Sequence, residues 1–198
     1  MSILSYSDPI AFFEAWFKEA KLHENNEPTT FCLATADSNG RVSARMVLLK
    51  DFSNEGFIFY TNYLSRKCSD IKNNSKVAAC FHWKSIRKQI RIEGVASKIS
   101  ERDSDEYFFT RSRLSRIGAR VSKQSQKLVG GIDKLMERFE EERKVFEGKE
   151  IPRPRNWGGI IIVPSSIEFW QHGEDRLHRR IIYTKVRENI WSSEELYP

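Results

Sequence analysis

Thr30-Phe31-Cys32-Leu33-Ala34-Thr35-Ala36, the turn Asp37-Ser38-Asn39-Gly40, and Val42-Ser43-Ala44-Arg45-Met46-Val47-Leu48-Leu49 decide the fold class. Two runs of β-branched and apolar residues flank four residues rich in Asp, Asn and Gly, which is the pattern of a hairpin. The pattern continues outward. Ser53-Asn54-Glu55-Gly56 reads as a turn and 57–60 as a third strand. Segments 76–83 and 89–99 read as two more strands, and 159–163, 167–171 and 177–185 as another three, with an edge strand near Trp191. Helices interrupt the strands. Ser7-Asp8-Pro9 starts one that carries Ile10, Phe13, Phe17 and Ala20 to about Leu22. A short helix is expected over 65–73. Ser100-Glu101-Arg102-Asp103 resembles a capping box opening a helix through Phe109. Another runs from Asp133 to about Phe146, with Leu135, Phe139 and Phe146 on one side, and ends before Ile151-Pro152-Arg153-Pro154. Strands joined by short turns, with helices inserted late, predict a mainly β chain with peripheral helices, an α+β fold built on an antiparallel barrel rather than a doubly wound sheet.

The 198 residues fit one domain over 1–198, with an N-terminal helix in 1–25, a helical insertion over 100–150 and closing strands over 157–198. No stretch approaches the ~18 apolar residues of a membrane span. Met1-Ser2-Ile3-Leu4-Ser5-Tyr6 lacks the basic and apolar regions of a signal peptide. Three cysteines (Cys32, Cys68, Cys80) form no CxxC pair, and His23, His82, His172 and His178 lack ligand spacing. No disulfide framework and no metal are therefore expected, and a reducing, cytoplasmic setting is. The net charge of +6 favours an anionic partner. Arg111, Arg113, Arg116, Arg120, Lys123 and Lys127 form an acid-free run that fits nucleic acid, a small-molecule phosphate, or a solvated helix face. No Gly-rich phosphate loop occurs, so anions are expected to be held by Arg and Lys side chains.

Polar groups concentrate where a core would not need them. Trp157-Gly158-Gly159 leads into Ile167-Glu168-Phe169-Trp170-Gln171 and Arg176-Leu177-His178-Arg179-Arg180. Guanidinium groups bind phosphate or carboxylate bidentately, Trp covers a flat ring, and His carries protons near neutral pH. Gln89, Arg91 and Glu93 share one strand face, and Tyr107 and Arg111 share one helix face by their four-residue spacing. Trp83 and Trp157 read as core or turn packing, Cys80 as a small buried hydrophobe, and His82 and His172 as structural.

Read in order, Arg45-Met46-Val47-Leu48-Leu49-Lys50, Phe59-Tyr60-Thr61-Asn62-Tyr63-Leu64-Ser65-Arg66-Lys67, Gln89-Ile90-Arg91-Ile92-Glu93-Gly94, Val121-Ser122-Lys123-Gln124-Ser125 and the C-terminal cluster closely resemble the pyridoxine (pyridoxamine) 5'-phosphate oxidases, from about Asp8 to the last residue. The resemblance implies an FMN-binding split β-barrel, antiparallel and Greek-key-like. It also implies a homodimer with FMN at the subunit interface. The implied reaction is oxidation of pyridoxine or pyridoxamine 5'-phosphate to pyridoxal 5'-phosphate, with O2 reoxidising the flavin to give hydrogen peroxide. FMN contacts are implied for Arg45, Met46, Val47, Leu48, Lys50, Tyr60, Thr61, Arg66, Lys67, Gln89, Gln124, Ser125, Trp170 and Arg180. Substrate contacts are implied for Lys50, Tyr107, Arg111, Ser115, Arg176 and His178, the last two closing over the pyridine ring at the reacting carbon. The basic run is thereby reread as phosphate recognition, and nucleic acid is not expected as a partner.

The chain departs from the family pattern at Arg179, where Asp is usual, and at Glu195, where Arg is usual. A swapped ion pair between them is the expectation. Lesser departures are Cys68, Lys88, Ser112, Arg116 and His172. Rival readings are a split-barrel flavin oxidase of the phenazine-biosynthesis type, a non-catalytic protein that sequesters FMN or pyridoxal phosphate, and a basic RNA-binding module.

Overall fold

The computed structural model describes residues 6–198. The first five residues of the expected N-terminal segment, and most of the stretch read for a signal peptide, lie outside the described residues. Helix α1 (Pro9–His23) starts where Asp8 accepts a hydrogen bond from the Ile10 N–H at 2.9 Å. Strands β1 (Thr30–Ala36), β2 (Val42–Leu48), β3 (Asp51–Ser53) and β4 (Gly56–Asn62) follow, then α2 (Arg66–Asn73), β5 (Lys76–Trp83) and β6 (Lys88–Lys98). Helices α3 (Glu101–Thr110), α4 (Arg113–Val121) and α5 (Gly131–Val145) form the insertion, and β7 (Trp157–Gln171), β8 (Arg179–Arg187) and β9 (Ile190–Glu195) close the chain.

All the strand pairs are antiparallel. The sheet runs β2-β1-β5-β6-β7-β4-β3, with β8 and β9 continuing from β7. Alternation sets the inner face. Phe31, Leu33, Val77, Ala79, Phe81, Trp83, Ile90, Ile92, Ile167 and Phe169 point inward and are buried. The sheet curls around them, and α1 fills the opening with Phe12, Phe13, Trp16 and Phe17. The Phe12 ring lies 4.1 Å from Phe169, and Phe13 lies 4.9 Å from Phe57 and 5.3 Å from Phe81. Each such ring contributes about 1.5–3 kcal/mol by leaving water. A second, smaller cluster of Phe108, Ile117, Ala119, Ile151 and Trp157 joins the helical insertion to the start of β7.

Four features differ from the sequence expectation. The strands expected over 159–163 and 167–171 are one strand, β7, crossing Pro164 at a bulge where its register with β6 shifts between Glu93 and Gly94. A bulge tolerates a residue without an N–H. Gly94 permits the close crossing, because a Cβ there would lie 2.1 Å from the Val163 carbonyl oxygen. Strand β3 and helix α4 were not anticipated. The basic run hid α4, although Leu114, Ile117 and Val121 follow helical spacing. Finally, Arg111 is not on the helix face of Tyr107. It caps α3 in an extended conformation, φ −72° and ψ 149°.

Candidate functional site

The main cleft, about 1090 Å³, lies between β2, β4, the start of α2, the insertion and Trp157. Among the described residues strand β2 pairs with β1 alone, which leaves its other edge free there, and residues Ser43 to Leu48 line the cleft along that edge. Met46 is 61% exposed while Val47 packs against the barrel core. The ligand capacity of this stretch is therefore largely main-chain. Arg45, Lys50, Arg66, Lys67 and Arg111 all line the cleft, and no Asp or Glu does. Such a set of cations repels itself and is stabilised by an anion.

Two groups of cationic and polar side chains converge there. The first surrounds the start of α2. Lys67 is 6% exposed, and its Nζ donates to Gln124 Oε1 at 2.9 Å, Thr61 Oγ1 at 3.1 Å and Ser65 Oγ at 3.2 Å. All three partners are neutral, and burial pushes its pKa down. Arg45 donates to the Leu33 carbonyl at 3.0 Å and to Thr35 Oγ1 at 2.9 Å. Burial lowers its pKa too, against the pull of Asp70, 3.9 Å away behind it. Ser125 adopts φ 70°, a left-handed conformation that costs energy for a non-glycine residue.

The second group is built from the junction of α3 and α4. Ser112 caps α4, accepting from the Ser115 N–H at 3.3 Å and donating to Ser115 Oγ at 2.8 Å. Ser112, Ser115, Tyr107, Arg111 and Lys50 line the cleft together. The Tyr107 ring stacks on Tyr60 at 3.7 Å and 9°. Burial pushes the Tyr60 phenol up to about 12, with a further push from Tyr107, and raises Tyr107 as well. Arg111 Nη1 is buried without a hydrogen-bond partner, and burial lowers the pKa of its guanidinium. The N-termini of both α2 and α4 thus face the cleft, adding partial positive charge to that of the side chains. The sequence reading counted side chains alone as sources of that positive charge. Ser112 was missed as a site residue because the unrecognised α4 hid its capping role.

The basic run divides by function. Arg113 donates to the carbonyls of Phe146 and Lys149, and Arg120 pairs with Glu142 at 2.5 Å and with the Pro152 carbonyl at 3.2 Å. These two pin α4 to the end of α5. Only Arg111 of the run lines the cleft, so the rereading of the whole run as phosphate recognition is too broad.

Gln89, Trp170, Arg176, His178 and Arg180 do not line this cleft. Gln89, Trp170 and Arg180 are consecutive partners across β6, β7 and β8 and form one row on one face. Arg180 Nε donates to the buried Glu168 at 2.9 Å, and Arg91 also pairs with Glu168. Burial alone would raise the Glu168 pKa, but hydrogen bonds from Arg180 and Arg91 lower it. Beside the row, His178 lies 4.7 Å from Trp170 and 5.5 Å from His172. The Gly173 N–H donates to His178 Nδ1 at 3.3 Å, which leaves the imidazole N–H at Nε2. Asp175 and Arg176 adopt φ 52° and 64°, a tight turn that projects the exposed Arg176. Arg179 and Glu195 form no ion pair within the chain among the described residues. The three cysteines are free, and no cluster of metal-ligating residues occurs among the described residues.

Comparison with known proteins follows this division. Residues 17–139, which contribute most of the cleft, match the family model "Pyridoxamine 5'-phosphate oxidase". Residues 157–198, which hold most of the row, match "Pyridoxine 5'-phosphate oxidase C-terminal dimerisation region". A pyridoxine/pyridoxamine 5'-phosphate oxidase of Pelagibacter ubique is 48% identical over 192 residues, 96% of this chain and 92% of the relative. The crystal structure of PhzG from Burkholderia lata 383, in complex with tetrahydrophenazine-1-carboxylic acid, superposes with a TM-score of 0.91 at 31% identity, covering 98% of this chain and 95% of that one. A pyridoxamine 5'-phosphate oxidase-related, FMN binding protein of Nostoc punctiforme shares the fold, with a TM-score of 0.75 at 17% identity over 98% and 99% of the two chains. The split β-barrel expected from the sequence is the fold observed, and the chain belongs to the pyridoxamine 5'-phosphate oxidase family of enzymes.

Proposed function

We propose that this protein uses FMN to oxidise pyridoxine 5'-phosphate and pyridoxamine 5'-phosphate to pyridoxal 5'-phosphate. The observation that carries the reading is the acid-free cleft, with five cations and two helix N-termini arranged in two groups. Two groups suit two phosphates. The α2 group, with Arg45, Arg66, Lys67, Thr61, Gln124 and Ser125, holds the FMN phosphate, and the free edge of β2 from Arg45 to Leu48 meets the flavin through main-chain groups. Tyr60 lines the same wall, and Lys50 lies within reach of both ligands. The α4 group, with Lys50, Tyr107, Arg111 and Ser115, holds the substrate phosphate.

Bound FMN supplies a two-electron acceptor whose electrons pass to O2, giving hydrogen peroxide. The chain's own groups position the reactants and control charge. The substrate carbon bearing the alcohol or amine loses a hydride, and the proton of that group leaves to solvent. From the amine substrate the product is an imine, which water hydrolyses to the aldehyde and ammonia. His178 offers an Nε2–H donor to the pyridine ring and Arg176 closes over it, so orientation rather than proton abstraction is their role.

The row of Gln89, Trp170 and Arg180 completes the site from a second copy of the chain. Within one chain it lies apart from the cleft, and Trp170 and Arg180 belong to the dimerisation region, which supports a homodimer; in this reading one row faces each cleft. The free cysteines suit the cytoplasm.

The likeness to PhzG favours a second reading, in which the substrate is a reduced phenazine carboxylate. The four residues of the α4 group argue against it, since a substrate without phosphate does not need them together. Oxygen uptake by the FMN-loaded protein decides between the two. Above the uptake measured without protein, pyridoxine 5'-phosphate should support uptake while unphosphorylated pyridoxine and tetrahydrophenazine-1-carboxylic acid do not. Uptake with the carboxylate alone would transfer the assignment to the phenazine type.

A further inference from the structure

Arg111 is held in an unusual way for a cation in a phosphate site. It lies past the end of α3, so the helix does not fix its direction. Among the described residues its side chain makes no hydrogen bond and no ion pair, and Nη1 is buried and orphaned. Its contacts are aromatic. The guanidinium carbon lies 4.5 Å from the centre of the Trp157 ring and 5.9 Å from that of Phe108.

We propose that Trp157 is a positioning residue for the substrate phosphate, acting through Arg111 and Tyr107. This deepens, and rests on, the reading of the α4 group as the phosphate site. Trp157 opens β7 opposite Asn62 and is 6% exposed, yet it lines the cleft. Its backbone is fixed on both sides, its N–H donating to the Pro154 carbonyl at 3.0 Å and its carbonyl accepting from Arg153 at 2.7 Å. The indole is parallel to Tyr60 (5.4 Å, 13°) and to Tyr107 (6.3 Å, 11°), and Phe108 meets it edge-on at 5.3 Å. The two residues after Trp157 have no room for a side chain against their neighbours. A Cβ on Gly158 would lie 2.2 Å from the Tyr63 hydroxyl, and one on Gly159 3.0 Å from the Tyr60 ring.

The physical gain over a carboxylate anchor is charge. An acidic partner would hold Arg111 equally well but would neutralise it and occupy its donors. A ring face attracts the cation through its quadrupole while occupying none of its N–H donors. The same rigid stack sets where the Tyr107 hydroxyl points. The simpler account makes Trp157 only a core residue of the second cluster, and the two accounts differ in ligand selectivity.

The test uses FMN-loaded protein and two probes that cannot be oxidised, 4'-deoxypyridoxine 5'-phosphate and unphosphorylated 4'-deoxypyridoxine, with affinities measured by titration calorimetry. Trp157→Leu should weaken the phosphorylated probe by about thirty-fold, the equivalent of a desolvated cation–π contact. It should leave the unphosphorylated probe within about twofold. Trp157→Phe, which keeps a ring and disturbs folding less, should recover most of the loss. In an Arg111→Gln background, Trp157→Leu should cost clearly less than in the wild type, because the route through Arg111 is already gone and only that through Tyr107 remains. Equal weakening of both probes by Trp157→Phe or Trp157→Leu, or a full additive loss in the Arg111→Gln background, would overturn the proposal. A wild-type protein that binds the two probes equally would instead overturn the phosphate-site reading beneath it.

Discussion

Lys67→Met separates a cation kept for a ligand from one kept for the fold. The ammonium is buried and touches only Gln124, Thr61 and Ser65. Removing it from the flavin-free protein deletes three hydrogen bonds from a charged donor, each worth about 1.5 kcal/mol at the low end. It also relieves a desolvation penalty of several kcal/mol for a charge without a counter-ion. The two effects oppose one another and should cancel to within about 2 kcal/mol. FMN binding has no such compensation. Losing one charge-assisted contact to phosphate costs about 1.5–3 kcal/mol, or about ten- to 150-fold in Kd. Flavin fluorescence titration and urea unfolding of the flavin-free protein measure the two quantities. The pH dependence has a definite sign. The folded pKa of Lys67 lies below its ordinary value, so the flavin-free protein becomes more stable as pH rises through that folded value toward about 10.4. Over the same range FMN binding weakens, because the phosphate requires the ammonium. Lys67→Met should lack this alkaline limb. A Kd within twofold of wild type, or a flavin-free variant destabilised by more than about 3 kcal/mol, would refute the reasoning.

Three further outcomes follow from the geometry. Glu168→Gln leaves Arg91 and Arg180 without their shared carboxylate, at a cost of about 2 kcal/mol at neutral pH, the value for a broken buried pair discounted because Arg91 is half exposed. The lowered Glu168 pKa means that its contribution is present above about pH 4.3 and lost as pH falls through the folded value. Denaturant unfolding should therefore show the wild-type advantage shrinking from pH 7 to pH 3, and a constant advantage would contradict the assignment. With its phenol pushed up to about 12, Tyr60 contributes stability that is complete below about pH 10 and is lost toward 12. Tyr60→Phe should then remove a component near 12 from the 295 nm alkaline titration; removal of a component near 10 would count against the stacked, buried ring. Arg176→Ala should lower kcat/KM for pyridoxine 5'-phosphate more than tenfold and leave FMN affinity unchanged, since Arg176 is assigned to the pyridine ring of the substrate while the FMN phosphate is assigned to the α2 group. Loss of flavin from a folded variant would break that division of roles.

The hairpin at 30–49 was legible because alternation and turn chemistry agree there, and β1 and β5 fall where the pattern put them. Alternation is a local signal, so it could not show that 157–171 is a single strand. The bulge at Pro164 depends on Gly94 in a distant strand. Helix α4 was obscured because three arginines interrupt its apolar residues, and the carbonyl and carboxylate partners of Arg113 and Arg120 lie on or beyond α5. Lys67 was legible through family resemblance, but its neutral surroundings were not, since burial is a property of the packed barrel. Trp157 is the sharpest case. Its burial was anticipated, while its contact with Arg111 depends on the chain leaving helical geometry after Thr110.

The central claim is that the acid-free cleft holds FMN and passes it electrons from a phosphorylated B6 vitamer. Anaerobic mixing of the FMN-loaded protein with pyridoxine 5'-phosphate, followed at the 450 nm flavin band, tests it most directly. The account predicts complete bleaching with one pyridoxal 5'-phosphate formed per flavin, then recovery of the band and one equivalent of hydrogen peroxide when air is admitted. Tightly bound flavin whose band is unchanged by pyridoxine 5'-phosphate and by pyridoxamine 5'-phosphate would contradict it.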